Sequence, residues 1–502
     1  MSAPVTRVAL LVAGAATLAC ARTPAPMPEP TPAPAVAVVP AVAEPPAPMI
    51  DTAPPQLGPP KPVTLPAVVT RTLSNGLVVH VVEQHELPVA DFVLVVRAGG
   101  ERDAQNRLGL ATLTASLLSE GTTKRDALAI ADQEAYLGVQ LNTFGGWDAT
   151  RVALHTPTAR LDSALALFAE VALRPSFPAK ELERLRQERL TTLLQQRDQP
   201  RAMADLAFNS IVFGETHPYG RPLIGNETTT KAITRADVRR FYDTYFKPNN
   251  ASLVVVGDVS ADDVVARAER LFGGWKRGTV PAAAFRTPPS AGTTTVYIVD
   301  KPGAPQTSVR IGGVGVARGT QDYFPLTVMN TILGGSFTSR LNQNLRETHG
   351  YTYGARSSFA MRQAPGPFTA SAEVTGTKTD SALVEFFREL RAIREDVPPT
   401  ELDKAKRYLQ LQLPASLETT GSVASQLAPL TIYGLPLDYF NTYAQRIDAV
   451  TGADVRRVAN QYVDPSKVSV VIVGDRTSIE PMVRALNLGE VKIHATTTPP
   501  VP

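Results

Sequence analysis

Cysteine is almost absent from this chain, which has a single residue of this type, Cys20, among 502. A disulfide needs two thiols and a cysteine-based zinc or iron–sulfur site needs several, so the sequence excludes both. Histidine is also scarce, with six residues left as nitrogen ligands for a metal. After the signal-like N-terminal segment, no apolar run approaches the roughly 20 residues of a membrane-spanning helix. We therefore expect that the mature chain is not an integral membrane protein.

An excess of charge of one sign is lacking as well. The chain has 50 Lys and Arg residues against 47 Asp and Glu residues, a formal net charge of +3. This balance differs from the basic surface that binds a phosphate backbone, so we expect no nucleic-acid partner. The length of 502 residues is sufficient for several domains of the usual size, roughly 100–200 residues each.

The N-terminal segment is typical of an exported protein. An apolar stretch follows Arg7 and predicts a signal peptide over residues 1–20. Its end, from Thr17 to Cys20, resembles a bacterial lipoprotein cleavage box. This resemblance implies that Cys20 carries a lipid and anchors the chain to a membrane in the periplasm of a Gram-negative bacterium. An ordinary signal peptide with an incidental cysteine is the alternative, because Thr17 stands where such boxes prefer leucine.

A proline-rich segment follows the signal peptide. Residues 21–60 hold 14 of the 43 prolines, with alanine and valine between them. This composition has no periodicity that would allow packing and favours an extended polyproline-II spacer. We predict a tether over residues 21–62.

The folded part contains an internal duplication. When the chain is shifted against itself by 217 residues, the windows 234–258 and 451–475 share 13 identical residues of 25, without a gap. Two copies of one domain explain this pattern. The predicted segments are a first domain at 63–278, a linker at 279–292, a second domain at 293–488 and a flexible tail at 489–502.

Each copy begins with strand-like alternation and continues with helical periods. In the first copy, residues 70–82 alternate around a turn, and residues 92–96 form a further apolar run. Helical spacing follows in three segments, 108–118, 158–173 and 181–196. We predict the α+β class, with two tandem duplicated domains, each a mostly antiparallel sheet covered by helices.

Several short motifs resemble those of the pitrilysin/insulinase-like zinc peptidases, the inverzincins. They are Gly109-Leu110-Ala111, Gly121-Thr122, His217-Pro218-Tyr219-Gly220-Arg221-Pro222 and Gly334-Gly335-Ser336-Phe337-Thr338-Ser339-Arg340-Leu341. The resemblance covers residues from about 68 to about 488 and implies the fold of pitrilysin and the mitochondrial processing peptidases. The chain resembles the half-length type, whose subunits pair to enclose one chamber.

The resemblance also implies where the zinc site of the family should lie. The family binds zinc through an inverted H-x-x-E-H motif on a helix and a distal Glu. The corresponding positions hold Thr112, Ala115 and Ser116, and the distal position falls at Thr192. A hydroxyl is a poor zinc ligand, and an alanine methyl takes no proton from water. The implied site is degenerate, so we expect no metal cofactor in this chain.

One segment contains two histidines and a glutamate that could be mistaken for a zinc motif. His80 and His85 lie five positions apart, with Glu83 between them. On a strand such positions face opposite sides, and on a helix they lie about 140° apart. We interpret both as ordinary histidines near the end of a strand.

The second copy keeps another element of the family. Arg346 and Tyr353 match an Arg–Tyr pair that, in members of the family, reaches across the chamber to the substrate. A guanidinium and a phenol are suitable donors to a peptide carbonyl oxygen that becomes negative during hydrolysis. The alternative is an exposed arginine at a helix end and an ordinary strand tyrosine. Tyr351 is the neighbour most easily confused with Tyr353.

Three functions of different class remain. The resemblance favours a non-catalytic subunit of a heterodimeric zinc metallopeptidase, whose homologous half-length partner has an intact H-x-x-E-H motif and carries the zinc that acts on a peptide substrate. The second function is that of a structural or peptide-binding protein of the same fold, without a peptidase role. The third is a self-sufficient hydrolase, but the sequence has no G-x-S-x-G elbow, P-loop or reactive cysteine to support it.

Overall fold

The computed structural model describes residues 64–289 and 292–495 of the chain. The predicted signal peptide, Cys20 and the tether over residues 21–62 lie outside these ranges and stay predictions. The two described ranges belong to one compact unit. No helix within these ranges combines the length and the apolar composition of a membrane span.

Within residues 64–289 the structure has six strands and eight α-helices. The strands are β1 (Val69–Thr72), β2 (Val78–Glu83), β3 (Val89–Val96), β4 (Gln140–Gly145), β5 (Thr150–Pro157) and β6 (Ala251–Gly257). The helices are α1 (Leu110–Leu117), α2 (Ala127–Leu137), α3 (Leu161–Leu173), α4 (Ala179–Asp198), α5 (Pro200–Phe213), α6 (Glu227–Ala232), α7 (Arg235–Tyr245) and α8 (Ala261–Phe272).

Within residues 292–495 the structure again has six strands and eight α-helices. The strands are β7 (Thr295–Asp300), β8 (Gln306–Val314), β9 (Thr352–Phe359), β10 (Pro367–Thr375), β11 (Ser469–Gly474) and β12 (Glu490–Ile493). The helices are α9 (Tyr323–Asn330), α10 (Arg340–Asn342), α11 (Thr379–Ala392), α12 (Pro399–Gln412), α13 (Thr420–Tyr433), α14 (Tyr443–Asp448), α15 (Gly452–Tyr462) and α16 (Arg476–Ala485).

The two halves form equivalent sheets of six strands each. The strand order is β1-β2-β6-β3-β5-β4 in the first sheet and β12-β7-β11-β8-β10-β9 in the second. The pairs β2–β6, β7–β11 and β7–β12 are parallel, and the remaining pairs are antiparallel. The prediction of two mostly antiparallel sheets covered by helices is confirmed.

The last strand corrects the predicted C-terminal tail. Residues Glu490–Ile493 form β12 and pair in parallel with β7, so the second sheet extends beyond residue 488 and the flexible tail predicted from residue 489 is wrong for this segment. In the first sheet, β1 occupies the same edge position and pairs antiparallel with β2. The two copies therefore complete this edge with segments from opposite ends of the folded part.

The duplicated residues have the same local roles in both halves. Thr234 accepts a hydrogen bond from the backbone N–H of Asp237, whose side chain accepts one from Thr234 in return, which closes a capping box at the start of α7. Thr451 and Asp454 do the same at α15. The strands that follow these helices, β6 and β11, are buried along their whole length. The repeated window therefore encodes a repeated helix cap and core strand.

Each half contributes one helix to the sheet of the other half. Helix α5 of the first half packs on β8 and β11, and helix α13 of the second half packs on β3 and β6. Phe208 on α5 shares a core cluster with Val471 of β11, and Leu427 on α13 shares another with Val254 of β6. Because each core needs a helix from the other half, we expect the halves to fold together.

A buried arginine lies where α5 meets the second sheet. Arg310 on β8 is 2% exposed. Its Nε donates a hydrogen bond of 2.6 Å to Asp205 on α5, and its Nη1 lies 3.2 Å from Glu373 on β10. A buried guanidinium needs such partners to offset its lost hydration. The pair with Asp205 therefore joins the two halves.

Candidate functional site

Helix α1 carries the implied zinc positions and follows Gly109. The backbone conformation and a neighbouring carbonyl group leave no room for a side chain at Gly109. Gly109 has a φ of +86°, and a Cβ there would lie 2.3 Å from the carbonyl oxygen of Ile224. The Asp103 carboxylate accepts hydrogen bonds from the backbone N–H groups of Gly109 and Ala111, at 2.8 and 2.9 Å. These contacts fix the first turn of the helix.

The three residues at the implied positions on α1 offer nothing to a metal. Thr112 Oγ1 donates to the carbonyl oxygen of Gly109 over 3.0 Å, and Ser116 Oγ donates to that of Thr112 over 3.1 Å. Ala115 is buried and has only a methyl group. This face of the helix also lies close to Gly145 at the end of β4, where an added Cβ would come within 2.8 Å of Thr112 Cα.

The distal position does not supply a ligand either. Thr192 on α4 is exposed, and its hydroxyl donates to the carbonyl oxygen of Glu188 over 3.0 Å. The Glu188 carboxylate itself pairs with Arg184 at 2.6 Å. In the described part of the chain, no group of three or more His, Cys, Asp or Glu side chains is arranged to hold a metal. The residues at the implied site do not fit a zinc ion.

Two buried carboxyl groups precede α1 and were not among the predicted site residues. Burial raises the pKa of Asp103 to about 8 and that of Glu101 to about 7. Asp103 caps α1, and Glu101 accepts hydrogen bonds from the backbone N–H of Gly99 and from Arg102 Nε, both at 2.8 Å. Because these partners are local backbone and side-chain groups, the two carboxyls support the loop that positions α1. No periodicity in the sequence marks them.

His80 lies within β2 and His85 follows the end of that strand, and the two histidines have separate partners. His80 is buried, and its Nδ1 lies 3.0 Å from Thr70 Oγ1. His85 is exposed, and its Nδ1 lies 2.7 Å from an Asp258 carboxylate oxygen. Burial lowers the pKa of His80, whereas the hydrogen bond to Asp258 raises the pKa of His85. The two rings do not share a metal site.

The structure brings Arg346 and Tyr353 together. Arg346 lies in a π-helical turn, Gln343–Thr348, a rare conformation that often occurs at functional sites. Tyr353 lies on the edge strand β9 and is 88% exposed. The guanidinium carbon of Arg346 is 5.1 Å from the centre of the Tyr353 ring, and its Nε is 3.4 Å from the Glu347 carboxylate. The exposed ring of Tyr353 therefore lies against the Arg346 guanidinium.

A second aromatic ring, which the sequence analysis did not assign, contacts the same guanidinium. The ring centre of Phe337 lies 4.6 Å from the guanidinium carbon of Arg346, and Phe337 is 62% exposed. Arginine stacks favourably on aromatic faces. We call Phe337, Arg346 and Tyr353 the Arg346 cluster.

Buried polar contacts hold the Phe337 loop against β9. The Asn342 side chain donates to the carbonyl oxygen of Phe337 over 2.6 Å and accepts from the backbone N–H of Ala355 over 3.2 Å. A Cβ at Gly334 would lie 2.2 Å from the backbone nitrogen of Ser357. The glycine pair before Phe337 is the sequence signal for this close approach, although it does not indicate which side chain the loop presents.

Tyr351 and Tyr353 have different environments. The Tyr351 ring stacks on His349, with ring centres 4.9 Å apart, and packs against the core of the second half. Tyr353 is instead exposed on β9. Of the two tyrosines, Tyr353 is the more accessible to a ligand.

Two family models match the chain. Residues 78–227 match the model described as Insulinase (Peptidase family M16), and residues 232–409 match the model described as Peptidase M16 inactive domain. The implied zinc positions on α1 lie in the first range. The Arg346 cluster lies in the second range.

Proteins of similar length resemble this chain over most of its folded part. An uncharacterized zinc protease of Mycobacterium tuberculosis is 28% identical over 439 residues, which are 86% of this chain and 99% of that protein. The non-peptidase homolog YmxG of Helicobacter pylori is 24% identical over 398 residues, 78% of this chain and 91% of that protein. A crystal structure described as a peptidase M16 inactive domain from Pseudomonas fluorescens has a TM-score of 0.77 and 29% identity, covering 81% of this chain and 98% of that one.

Proposed function

The chain belongs to the insulinase (M16) peptidase family, and we propose that it is a non-catalytic subunit of a peptidase formed with a zinc-bearing partner. The partner would be a homologous half-length chain with an intact H-x-x-E-H motif. This chain would contribute part of the wall of the chamber that encloses the peptide, together with the Arg346 cluster. The match to an M16 inactive domain and the likeness to a non-peptidase homologue support a non-catalytic role.

The two parts of the implied site differ in what they offer to a reaction. On α1, the hydroxyls of Thr112 and Ser116 are bonded to the helix backbone, and nothing there holds zinc or takes a proton from water. On β9 and the turn before it, the Arg346 guanidinium lies against the exposed ring of Tyr353, and both side chains carry hydrogen-bond donors. The side chains that would bind a substrate are available, whereas those that would bind a metal are missing. This contrast is the main support for a role in a shared site.

The donors of the Arg346 cluster suit peptide hydrolysis that is begun by another subunit. The partner's zinc would supply an activated water and polarise the scissile carbonyl. Arg346 and Tyr353 would donate N–H and O–H hydrogen bonds to the carbonyl oxygen from this chain. Because negative charge develops on that oxygen in the transition state, such donors stabilise the transition state more than the bound substrate.

A structural or peptide-binding role without proteolysis is the second candidate. The likeness to the Helicobacter pylori chain, which is named a non-peptidase homologue, favours it. In that case the Arg346 cluster would bind an extended peptide without any effect on a reaction rate.

Reconstitution with the partner distinguishes the two candidates. The partner would be identified by mass spectrometry of the native complex and then purified separately. This chain alone should have no peptidase activity, and the reconstituted pair should cleave peptides. Arg346→Ala and Tyr353→Phe should each lower kcat by about 10²–10³-fold without weakening assembly, since each removes a transition-state donor.

Tyr351→Phe is the matched control, because it removes the same hydroxyl two residues away from a ring that packs on His349. The turnover of the pair with Tyr351→Phe should be close to that of the pair with the unchanged chain. If the pair cleaves peptides equally well with all three variants, the Arg346 cluster has no catalytic role and the structural candidate is the better description.

A further inference from the structure

Helices α7 and α15 carry the same polar residues at duplicated positions. Asp237, Arg240 and Tyr245 on α7 correspond to Asp454, Arg457 and Tyr462 on α15. Helix α7 packs on α1, and α15 packs in the same way on α9. The residues that precede α1 and α9 therefore lie in equivalent places beside an Arg and a Tyr.

In the second half, this Arg and this Tyr share a carboxylate. Asp322 directly precedes α9. Arg457 Nη2 donates to Asp322 Oδ1 over 2.7 Å, and the Tyr462 hydroxyl donates to Asp322 Oδ2 over 2.7 Å. A guanidinium and a phenol thus bind the two oxygens of one carboxyl group, which is a strong, charge-assisted arrangement.

In the first half, the corresponding place is a cavity. It has a volume of about 270 Å³ and lies between the start of α1 and α7, where Arg240 and Tyr245 form part of its lining. The two residues before α1 are Leu108 and Gly109, so this half has no counterpart of Asp322 there. Among the described residues, the Tyr245 hydroxyl forms no hydrogen bond to a carboxylate.

Arginines outnumber acids in the lining of the cavity, and one of them, Arg102, already pairs with Glu101 over 2.8 Å. Arg102, Arg107 and Arg240 all line it, and Asp237 is the one acid in the lining. The Asp237 carboxylate already accepts from Arg107 Nε over 2.9 Å and caps α7. Arg240 lies 3.4 Å from Asp237 and has a side chain that is 74% exposed, so its guanidinium keeps most of its donors available.

We propose that this cavity binds a carboxylate presented by a peptide, held by Arg240 and Tyr245 as Asp322 is held by Arg457 and Tyr462. The second half shows what the bound state would resemble, because there a carboxylate accepts hydrogen bonds from an arginine and a tyrosine at the duplicated positions. The volume is near the lower end of small-molecule sites, which suits the terminal residue of a peptide or one acidic side chain. The site lies on the α1–α7 side of the first half and does not involve the Arg346 cluster.

Peptide titrations test the site and separate the two sources of a carboxylate. The probes are N-acetyl-tetraalanine with a free C-terminus, its C-terminal amide, and the same amide with one alanine replaced by glutamate. Saturation-transfer NMR on the full chain measures weak binding of each. The proposal requires saturable binding of at least one acid and at least about tenfold weaker binding of the plain amide. Binding of the plain amide that is as strong as that of both acids, or no binding of any probe, would overturn it.

Variants locate the binding. Arg240→Gln changes an exposed side chain and should weaken binding of the acidic peptide about tenfold. Asn106→Asp adds a fixed carboxylate to the lining, which should compete with the carboxylate of the peptide and also weaken its binding. Arg457→Gln is the matched control, because it changes the duplicated arginine whose carboxylate partner is already present. If Arg240→Gln and Arg457→Gln change peptide binding to the same extent, the cavity is not the binding site. Thermal melts of each variant report whether the fold is retained.

Discussion

The carboxylate of Asp148, in the turn between β4 and β5, accepts a hydrogen bond of 3.1 Å from the hydroxyl of Tyr433 at the end of α13. The same carboxylate accepts hydrogen bonds from the Tyr219 hydroxyl over 2.7 Å and from the backbone N–H of Gln363 over 2.9 Å. The Arg362 guanidinium carbon lies 4.5 Å from the centre of the Tyr219 ring. One buried acid of the first half therefore binds two donors from the second half. One of these donors lies at the end of α13, the helix that the second half packs on the first sheet.

Asp148→Ala should lower the free energy of unfolding by about 3 kcal/mol, because two hydroxyls and one backbone N–H lose their acceptor in a buried place. Tyr433→Phe should cost about 1 kcal/mol, since it removes one of these hydrogen bonds. Urea unfolding at neutral pH measures both. Asp396→Ala is the control, because that carboxylate is 85% exposed in its pair with Arg456 and should contribute little. Equal losses in the Asp148 and Asp396 variants would contradict a structural role for the buried acid.

His217 should make the protein sensitive to acid. It is buried, and its Nδ1 accepts a hydrogen bond from the backbone N–H of Tyr219 over 3.0 Å, which requires the unprotonated nitrogen. Burial, followed by the positive charges of Arg221 and Arg362, lowers the pKa of His217 below its usual 6.5. The unfolded chain binds a proton below pH 6.5 that the folded chain does not, so the free energy of unfolding falls as the pH falls below 6.5.

Urea unfolding between pH 7.5 and pH 5 tests the contribution of this histidine. His217→Asn keeps an acceptor but cannot be protonated, so its free energy of unfolding should depend less on pH, whatever its value at neutral pH. In His85→Asn the free energy of unfolding should instead fall more steeply as the pH falls, because the Asp258 partner raises the pKa of His85 and protonated His85 stabilises the fold. The same pH dependence in the unchanged protein and in His217→Asn would show that other groups cause the acid sensitivity.

The duplicated windows predicted much of the fold because their residues act locally. The Thr234–Asp237 and Thr451–Asp454 caps depend on contacts three residues apart, which a sequence pattern can show. The exchange of α5 and α13 between the halves could not be predicted, because an apolar helix face is the same whichever sheet it covers. The strand Glu490–Ile493 was missed since four residues next to a proline-rich end give too short a pattern.

The candidate site also has a part that residue types alone predict and a part that depends on contacts between distant residues. At the implied zinc positions, Thr112, Ala115 and Ser116 can be judged from residue types alone, because neither hydroxyl nor methyl groups replace imidazole and carboxylate. The contact between Phe337 and Arg346 depends on a loop that the Asn342 side chain ties to β9, which no local pattern specifies. The proposed carboxylate site beside Arg240 could not be predicted from the sequence, because it became apparent only when the two halves of the structure were compared.

The purified chain without residues 1–20 should contain far less than one zinc per molecule. Thr112, Ala115, Ser116 and Thr192 present no imidazole or carboxylate, so no tight site is expected. Metal analysis by mass spectrometry measures the content, and added zinc should not raise the melting temperature, whereas a ligand at 100 times its Kd stabilises a fold by about 2.7 kcal/mol. One tightly held zinc per chain would disprove the degenerate site and direct attention to the remaining histidines.

Cys20→Ser should leave the protein soluble or unprocessed, while the folded part is unchanged. A single acyl chain gives only marginal membrane binding, so stable anchoring depends on the multiple acylation that the lipoprotein resemblance implies. Membrane fractionation of cells that express each form measures the anchor, and circular dichroism checks the fold. Equal membrane association of both forms would contradict lipidation at Cys20.

Phe337→Ala should lower the turnover of the reconstituted pair by about two- to fivefold, because one stacked ring contributes about 0.5–1 kcal/mol to holding an exposed guanidinium. Phe337→Tyr keeps the ring and should retain the activity. The ring-current shifts of the Arg346 δ-protons in NMR spectra report the stacking without any activity measurement. Tyr136→Ala is the control, because it removes an exposed ring on α2 of the first half, and the centre of this ring lies 5.9 Å from the Arg160 guanidinium carbon. If Phe337→Ala reduces the ring-current shift and turnover stays unchanged, the position of Arg346 does not limit the reaction, and Phe337 has only a packing role.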